Sequence, residues 1–166
     1  AVPLNYRSVP DDVAYVLGNC GARGAFADTG YRAVLDAALP RLPALQPDRI
    51  IELGSARHLD LRNDGTAEAL PPVPPLAPAV IFYTSGTTGF PKGALLRHRG
   101  LLNNGADTAD RMGYGSGDVF VTTMPLFHTG GCVCCVIGAV YKAATQVLIE
   151  AFDPAIVLEM FDTYHG

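Results

Sequence analysis

The sequence predicts an α/β fold, a mostly parallel sheet flanked by helices in three layers. Three observations carry that prediction. Helical and strand-like apolar periods alternate along the chain, the pattern that builds parallel sheets through helical crossovers. The 166 residues are 49% hydrophobic and 17% charged, enough apolar side chain to bury a sizeable core. A glycine-rich stretch follows one short apolar run directly and precedes a helical period, the usual placement of a loop that grips an anion.

The elements follow in order. Asp11 to Asn19 places Val13, Val16 and Leu17 on one helical face behind two acids, and Gly21 stops it. Arg23 to Asp28 is a brief apolar run and reads as a strand. Val34, Leu35, Ala38 and Leu39 share a helical face that Pro40 terminates. Asp48 to Leu53 is a second short strand. From Arg62 to Pro78 the composition shifts to prolines without periodicity, an exposed linker of extended character, with docking to a proline-binding partner as the alternative. The chain thereby divides into a first α/β segment (1–61), the linker (62–78) and a second α/β segment (79–166).

In the second segment Ala79 to Tyr83 is a strand. His98 to Met112 is a helix with Gly113 as its stop. "DVFVTTMPL" is a strand running into a loop at Pro125, Gly130 to Ala144 a nearly all-apolar buried helix, and "TQVLIE" a strand. Asp153 is placed to cap a final helix, with Pro154 at its first position.

Several function classes are disfavoured. A net charge of −4 without a long basic cluster argues against nucleic-acid binding. No apolar run approaches the ~20 residues of a membrane span. The N-terminus has no targeting pattern and no initiator Met, so the chain is expected to begin inside a longer, cytoplasmic protein. Cys132, Cys134 and Cys135 stand too close together for an ordinary disulfide framework and fit a reducing compartment. They lack the paired spacing of a zinc site and read as small buried hydrophobes.

The stretch "YTSGTTGFPKG", Tyr83 to Gly93, is the chemical centre of the sequence. Its glycines permit positive φ and let backbone N–H groups approach an anion, its hydroxyls add donors, and Lys92 adds a positive charge. A bare turn needs one or two of these residues, so a polyphosphate is the expected occupant. Phe90 and Pro91 separate Gly89 from Lys92, so the spacing is not that of a Walker A loop, nor is it G-x-G-x-x-G.

The same eleven residues resemble the signature loop of the adenylate-forming (AMP-binding) superfamily, which includes acyl-CoA synthetases, luciferases and peptide-synthetase adenylation domains. "VPLNYR", "LLRHRGLLNN", "PLFHTGG" and "FDPAIVLEMFDTYHG" resemble further family segments in the right order. The resemblance implies that Thr84, Ser85, Gly86, Thr87, Thr88, Gly89 and Lys92 hold the β- and γ-phosphates of ATP. It makes His128, with Thr129 and Gly130, candidates for the acyl and CoA side of the site. His128 stands where adenylation domains usually carry Asp, which favours the acyl- or aryl-CoA synthetase branch. Arg97 replaces the family's usual Thr at a helix start; Arg cannot cap a helix, so that start is expected to be weaker or capped by another group.

What the resemblance implies is an acyl-CoA synthetase reaction using a carboxylic acid, ATP with Mg2+, and CoA, with no metal ligand identified in this chain. The family's later motifs, its hinge and its C-terminal domain do not occur in these residues. The chain is therefore expected to be a partial N-terminal subdomain of that fold, inactive alone and prone to self-association through exposed apolar surface. A non-catalytic nucleotide-binding module and an adenylation domain that loads an amino or aryl acid onto a carrier are the alternatives.

Overall fold

The computed structural model describes residues 1–64, 69, 71–84 and 89–166. Helix α1 (Pro10–Asn19) begins with proline where a backbone donor is dispensable, and the Asp12 carboxylate accepts from the Val9 N–H at 3.4 Å. It ends at Cys20, and Gly21 turns the chain at φ +64°. Strand β1 (Ala25–Ala27), helix α2 (Arg32–Ala38) and strand β2 (Ile50–Glu52) follow, β1 and β2 pairing parallel with Ala25 opposite Ile50. Short 3-10 turns at Leu39–Arg41 and Pro47–Arg49 absorb the prolines.

Helix α3 (Ala56–Asn63) starts from Ser55, whose hydroxyl accepts from the His58 N–H at 3.2 Å. It buries no residue and leaves Leu59 and Leu61 exposed, so it lacks the amphipathic stripe that would reveal it in sequence.

Strand β3 (Pro78–Thr84) buries Val80 and Phe82 in alternation. Its neighbour is β4 (Lys92–Arg97), within a stretch that reads as loop because five of its six residues are exposed. The N-terminus runs beside β3, with the Ile81 N–H donating to the Ala1 carbonyl at 2.9 Å. Helix α4 (His98–Met112) occupies the predicted residues and ends at Gly113 with φ +79°. Arg97 provides no side-chain cap. The His98 and Arg99 N–H groups instead donate to the carbonyls of Ala77 (3.2 Å) and Pro75 (2.9 Å). The proline-rich stretch thus satisfies two helix-end donors that a threonine would otherwise help to satisfy.

Strand β5 (Val119–Thr122) pairs parallel with β6 (Thr145–Leu148), Val119 opposite Thr145. The apolar segment between them is a π-helix over Gly130–Ile137 followed by α5 (Gly138–Lys142). The expectation of a buried helix over this whole stretch needs correction, because Val140 and Tyr141 face solvent. A nearly uniform apolar composition hides both the turn period and the exposed face. Helix α6 (Pro154–Tyr164) opens as expected, Asp153 Oδ1 accepting from the N–H groups of Ala155 (2.8 Å) and Ile156 (3.4 Å).

The α/β class and the mostly parallel pairing are as the sequence predicts, with the strands arranged in two-stranded ladders among the described residues. Two compact units share the chain. One comprises Ala1–Pro3, Val73–Phe82 and Ala94–Gly166, and the other Leu4–Pro72 and Tyr83–Gly93. The core of the second unit joins Val13 and Leu17 of α1 to Leu35 and Ala38 of α2, Leu42, Leu45 and Ile50. In the first unit Val80 and Phe82 pack with Val133 of the π-helix. Each core removes apolar surface from water at roughly 25 cal/mol per Å2.

Candidate functional site

The glycine-rich loop runs between the end of β3 and the start of β4. Ser85, Gly86, Thr87 and Thr88 lie outside the described residues. Thr84 ends β3 exposed, and its Oγ1 donates to the Lys92 carbonyl at 3.4 Å, joining the two ends of the loop. Gly89 has φ +92°, a left-handed conformation that a residue with a Cβ rarely adopts. Lys92 is exposed and takes part in no ion pair among the described residues. Thr84 and Lys92 are therefore in contact, and the lysine charge is not committed to a carboxylate among the described residues.

Helix α1 holds the two shoulders of that turn. Tyr15 donates its hydroxyl to the Pro91 carbonyl at 3.1 Å, and its ring lies 5.4 Å from that of Phe90 at 34°. One helical turn on, Asn19 Oδ1 accepts from the Tyr83 hydroxyl at 2.5 Å. Burial pushes the Tyr83 hydroxyl above its ordinary pKa, with Cys20 and Tyr15 adding to the effect, so it remains a donor at neutral pH. Sequence reading missed Tyr15 and Asn19. Their only local signal is a polar pair at i, i+4 on the face of α1 opposite Val13 and Leu17.

The His128 segment is built differently. The His128 N–H donates to the Pro125 carbonyl at 3.1 Å, closing a turn. The His128 carbonyl then accepts from Gly131 and Cys132, at 3.1 and 3.0 Å. The exposed imidazole accepts the Gly130 N–H through Nδ1 at 3.0 Å, which places the proton of the neutral ring on Nε2 and leaves that atom as the outward donor. Gly131 is sterically required, because backbone atoms surround it, whereas at Gly130 the obstacle is the movable end of Met124. A Cβ on Gly130 would meet Met124 Cε at 2.7 Å, and one on Gly131 would meet the Met124 carbonyl at the same distance. Thr129 is half-buried at the start of the π-helix. The buried Thr122 fixes the preceding strand end, accepting from the Met124 N–H at 3.0 Å and donating to Cys135 Sγ at 3.7 Å. His128, Thr129 and Gly130 are thus brought together as one rigid turn, and π-helical turns are frequent at functional sites.

Among the described residues no group of three His, Cys, Asp or Glu side chains is placed to hold a metal ion. The cysteines are free thiols. Cys135 is buried, Cys132 and Cys134 are half-buried, and burial pushes the Cys132 thiol up, away from the reactive thiolate. No described helix is long and apolar enough to cross a membrane.

The strand leading into the Tyr83–Gly93 sequence and, separately, the His-Thr-Gly-Gly turn are the two features to set beside known proteins. The chain belongs to the AMP-binding enzyme family, which matches residues 1–165. It is 32% identical over 153 residues to a sulfoacetate–CoA ligase of Cupriavidus necator, covering 91% of this chain and 30% of that protein. It is 34% identical over 156 residues to an indoleacetate–CoA ligase of Aromatoleum aromaticum, covering 92% and 31%. The ATP-bound structure of MatB from Rhodopseudomonas palustris superposes with a TM-score of 0.82 at 25% identity, over 97% of this chain and 32% of that one. The chain thus spans about a third of the length of the relatives it matches, and those relatives are named for unlike acids.

Proposed function

We propose that this chain supplies the phosphate-gripping part of an ATP-dependent, AMP-forming acyl-CoA ligase. In the first step a carboxylate oxygen attacks the α-phosphorus of ATP. The bond to the bridging oxygen breaks, giving acyl-adenylate and pyrophosphate. In the second step the CoA sulfur attacks the acyl carbon, AMP leaves, and the thiol proton passes to solvent. Charge builds on pyrophosphate during the first step, and catalysis there rests on positioning and charge neutralisation. Lys92 meets that charge, with donors from Thr84, Ser85, Gly86, Thr87, Thr88 and Gly89 around the β- and γ-phosphates. Magnesium enters with the nucleotide rather than on ligands of this chain. His128, through its outward Nε2 donor, together with Thr129 and Gly130, lines the acyl and CoA side.

The observation that carries the reading is Lys92, an exposed ammonium that pairs with no carboxylate among the described residues, three positions after the left-handed Gly89. The CoA ligase names of the relatives support it. With a third of its relatives' length, the chain alone is not expected to turn over. The test is carboxylate-dependent exchange of pyrophosphate into ATP by the intact gene product containing this chain, followed by offering CoA or a carrier protein as acceptor. Exchange that ends in a CoA thioester supports the ligase reading. Exchange that ends on a carrier supports the adenylation-domain alternative, and ATP binding without exchange supports a non-catalytic module.

A further inference from the structure

We propose that Tyr15 and Asn19 of α1 are positioning residues for the phosphate loop, acting as a clamp on its two shoulders; the proposal rests on the phosphate-binding reading above. Tyr83 stands just before the hydroxyl-rich residues 84–88, and Phe90 and Pro91 stand just before Lys92. Both shoulders are taken by a single face of a single helix, Asn19 accepting from the Tyr83 hydroxyl, and Tyr15 donating to the Pro91 carbonyl and packing its ring near Phe90.

That helix is itself well fixed. Its opposite face carries Val13, Ala14 and Leu17 in the core. Its first turn is tied down by Arg41, which pairs with Asp11 at 2.9 Å and donates to the Pro10 carbonyl at 3.0 Å. Flanks that are pinned before the ligand arrives need not be ordered by it, so less ordering entropy opposes phosphate binding. Among the described residues the hydrogen bonds of these two side chains go to Pro91 and Tyr83, not to Thr84, Gly89 or Lys92. The effect is on how the loop is held, and the predicted signature is weaker nucleotide binding without loss of the fold.

The test has two readouts on the chain and its Tyr15→Phe, Tyr15→Ala and Asn19→Ala variants. Hydrogen–deuterium exchange of the ligand-free protein follows peptides covering residues 83–92, with peptides from α2 and β2 as internal controls. The expected result is exchange at least ~10-fold faster in 83–92 for Tyr15→Ala, smaller increases for the other two, and unchanged controls. Calorimetric titration with Mg-ATP then reads the consequence. Loss of one hydroxyl bond in Tyr15→Phe should weaken binding about fivefold. Loss of ring and hydroxyl together should weaken it about 30-fold.

Unchanged exchange in 83–92 for Tyr15→Ala, or for Tyr15→Phe and Asn19→Ala if the alanine variant does not fold, overturns the clamp. So does faster exchange with Mg-ATP affinity unchanged, because the loop would then not need positioning. A parent chain that shows the exchange effect and binds no Mg-ATP would sink the phosphate reading, and the positioning role with it, while leaving the clamp as a structural contact. The two failures are thereby distinguished.

Discussion

Gly105 of α4 and Ile137 at the end of the π-helix interlock: a Cβ on Gly105 would stand 2.7 Å from Ile137 Cγ2 and 3.0 Å from Ile137 Cβ. No ordinary pair of side chains tolerates that approach. The notch lets the π-helix lie against α4 closely enough for Thr108 Oγ1 to reach Cys134 Sγ at 3.8 Å, and for Cys134 to reach Asn104 Oδ1 at 3.7 Å. Gly105→Ala should therefore cost about 1–3 kcal/mol by overpacking. Urea denaturation measures it. A double variant with Ile137→Ala should cost less than the sum of the two single changes, because each relieves the clash or cavity of the other. Strict additivity would mean that the two residues do not interlock.

Gly131→Ala is a harsher change. The atoms that a Cβ would meet are the backbone carbonyls of Pro125 and Met124, which cannot swing aside as a side chain can. The expected outcome is a larger loss of stability than Gly105→Ala and altered amide resonances through residues 125–132. A variant with the parent's spectrum in that segment would contradict the geometry given for the His128 turn.

Tyr114 supplies a pH dependence. Its hydroxyl is buried with no hydrogen-bond partner among the described residues, and its ring lies 5.3 Å from that of Phe120. Burial pushes its pKa above the ordinary value, and Cys135 adds to the rise. An unfolded tyrosine releases its proton near pH 10. Below that pH both states hold the proton and the contribution to stability is complete. Above it the unfolded state releases a proton that the folded state keeps, so stability falls until the folded hydroxyl also ionises. Denaturation midpoints measured between pH 8 and 11 should fall more steeply for the parent than for Tyr114→Phe. At pH 7 the variant should be neutral or slightly more stable, because it removes an unpaired buried hydroxyl and keeps the ring.

Exposed apolar side chains predict self-association. Helix α6 buries none of its residues, and Ile156, Leu158, Phe161 and Tyr164 on it are exposed, with Phe152 just before it. Sedimentation velocity on the chain should show species that grow with concentration, and Leu158→Lys should shift them toward monomer. A clean monomer that binds no apolar dye would oppose this. The Asp153 cap gives a control in the same helix, since Asp153→Ala should cost about 1 kcal/mol whatever the association state.

The parts of this fold that were legible in sequence are those set by local chemistry. Helix α4 with Gly113 and helix α6 with Asp153 and Pro154 have their periods, caps and stops written within a few residues. The parts that were not legible depend on partners far away. Strand β4 exists because β3 lies beside it, and its own residues look like loop. Tyr15 meets Pro91 across 76 positions and Asn19 meets Tyr83 across 64, separations that no short-range pattern encodes. Helix α3 hides for the opposite reason, because it packs against too little to need an apolar face. Within the candidate site, the residue types at the phosphate loop and the His128 turn were readable, but the hydrogen bond that orients His128 was not.

The central claim is that this loop grips the phosphates of ATP through Lys92. The most direct measurement is the thermal stability of the chain during titration with Mg-ATP, beside a Lys92→Ala variant. Ligand at about 100 times its Kd should add ~2.7 kcal/mol to the parent. The account predicts a rise in melting temperature for the parent that disappears in Lys92→Ala. A shift of equal size in both proteins, or none in either, would contradict it.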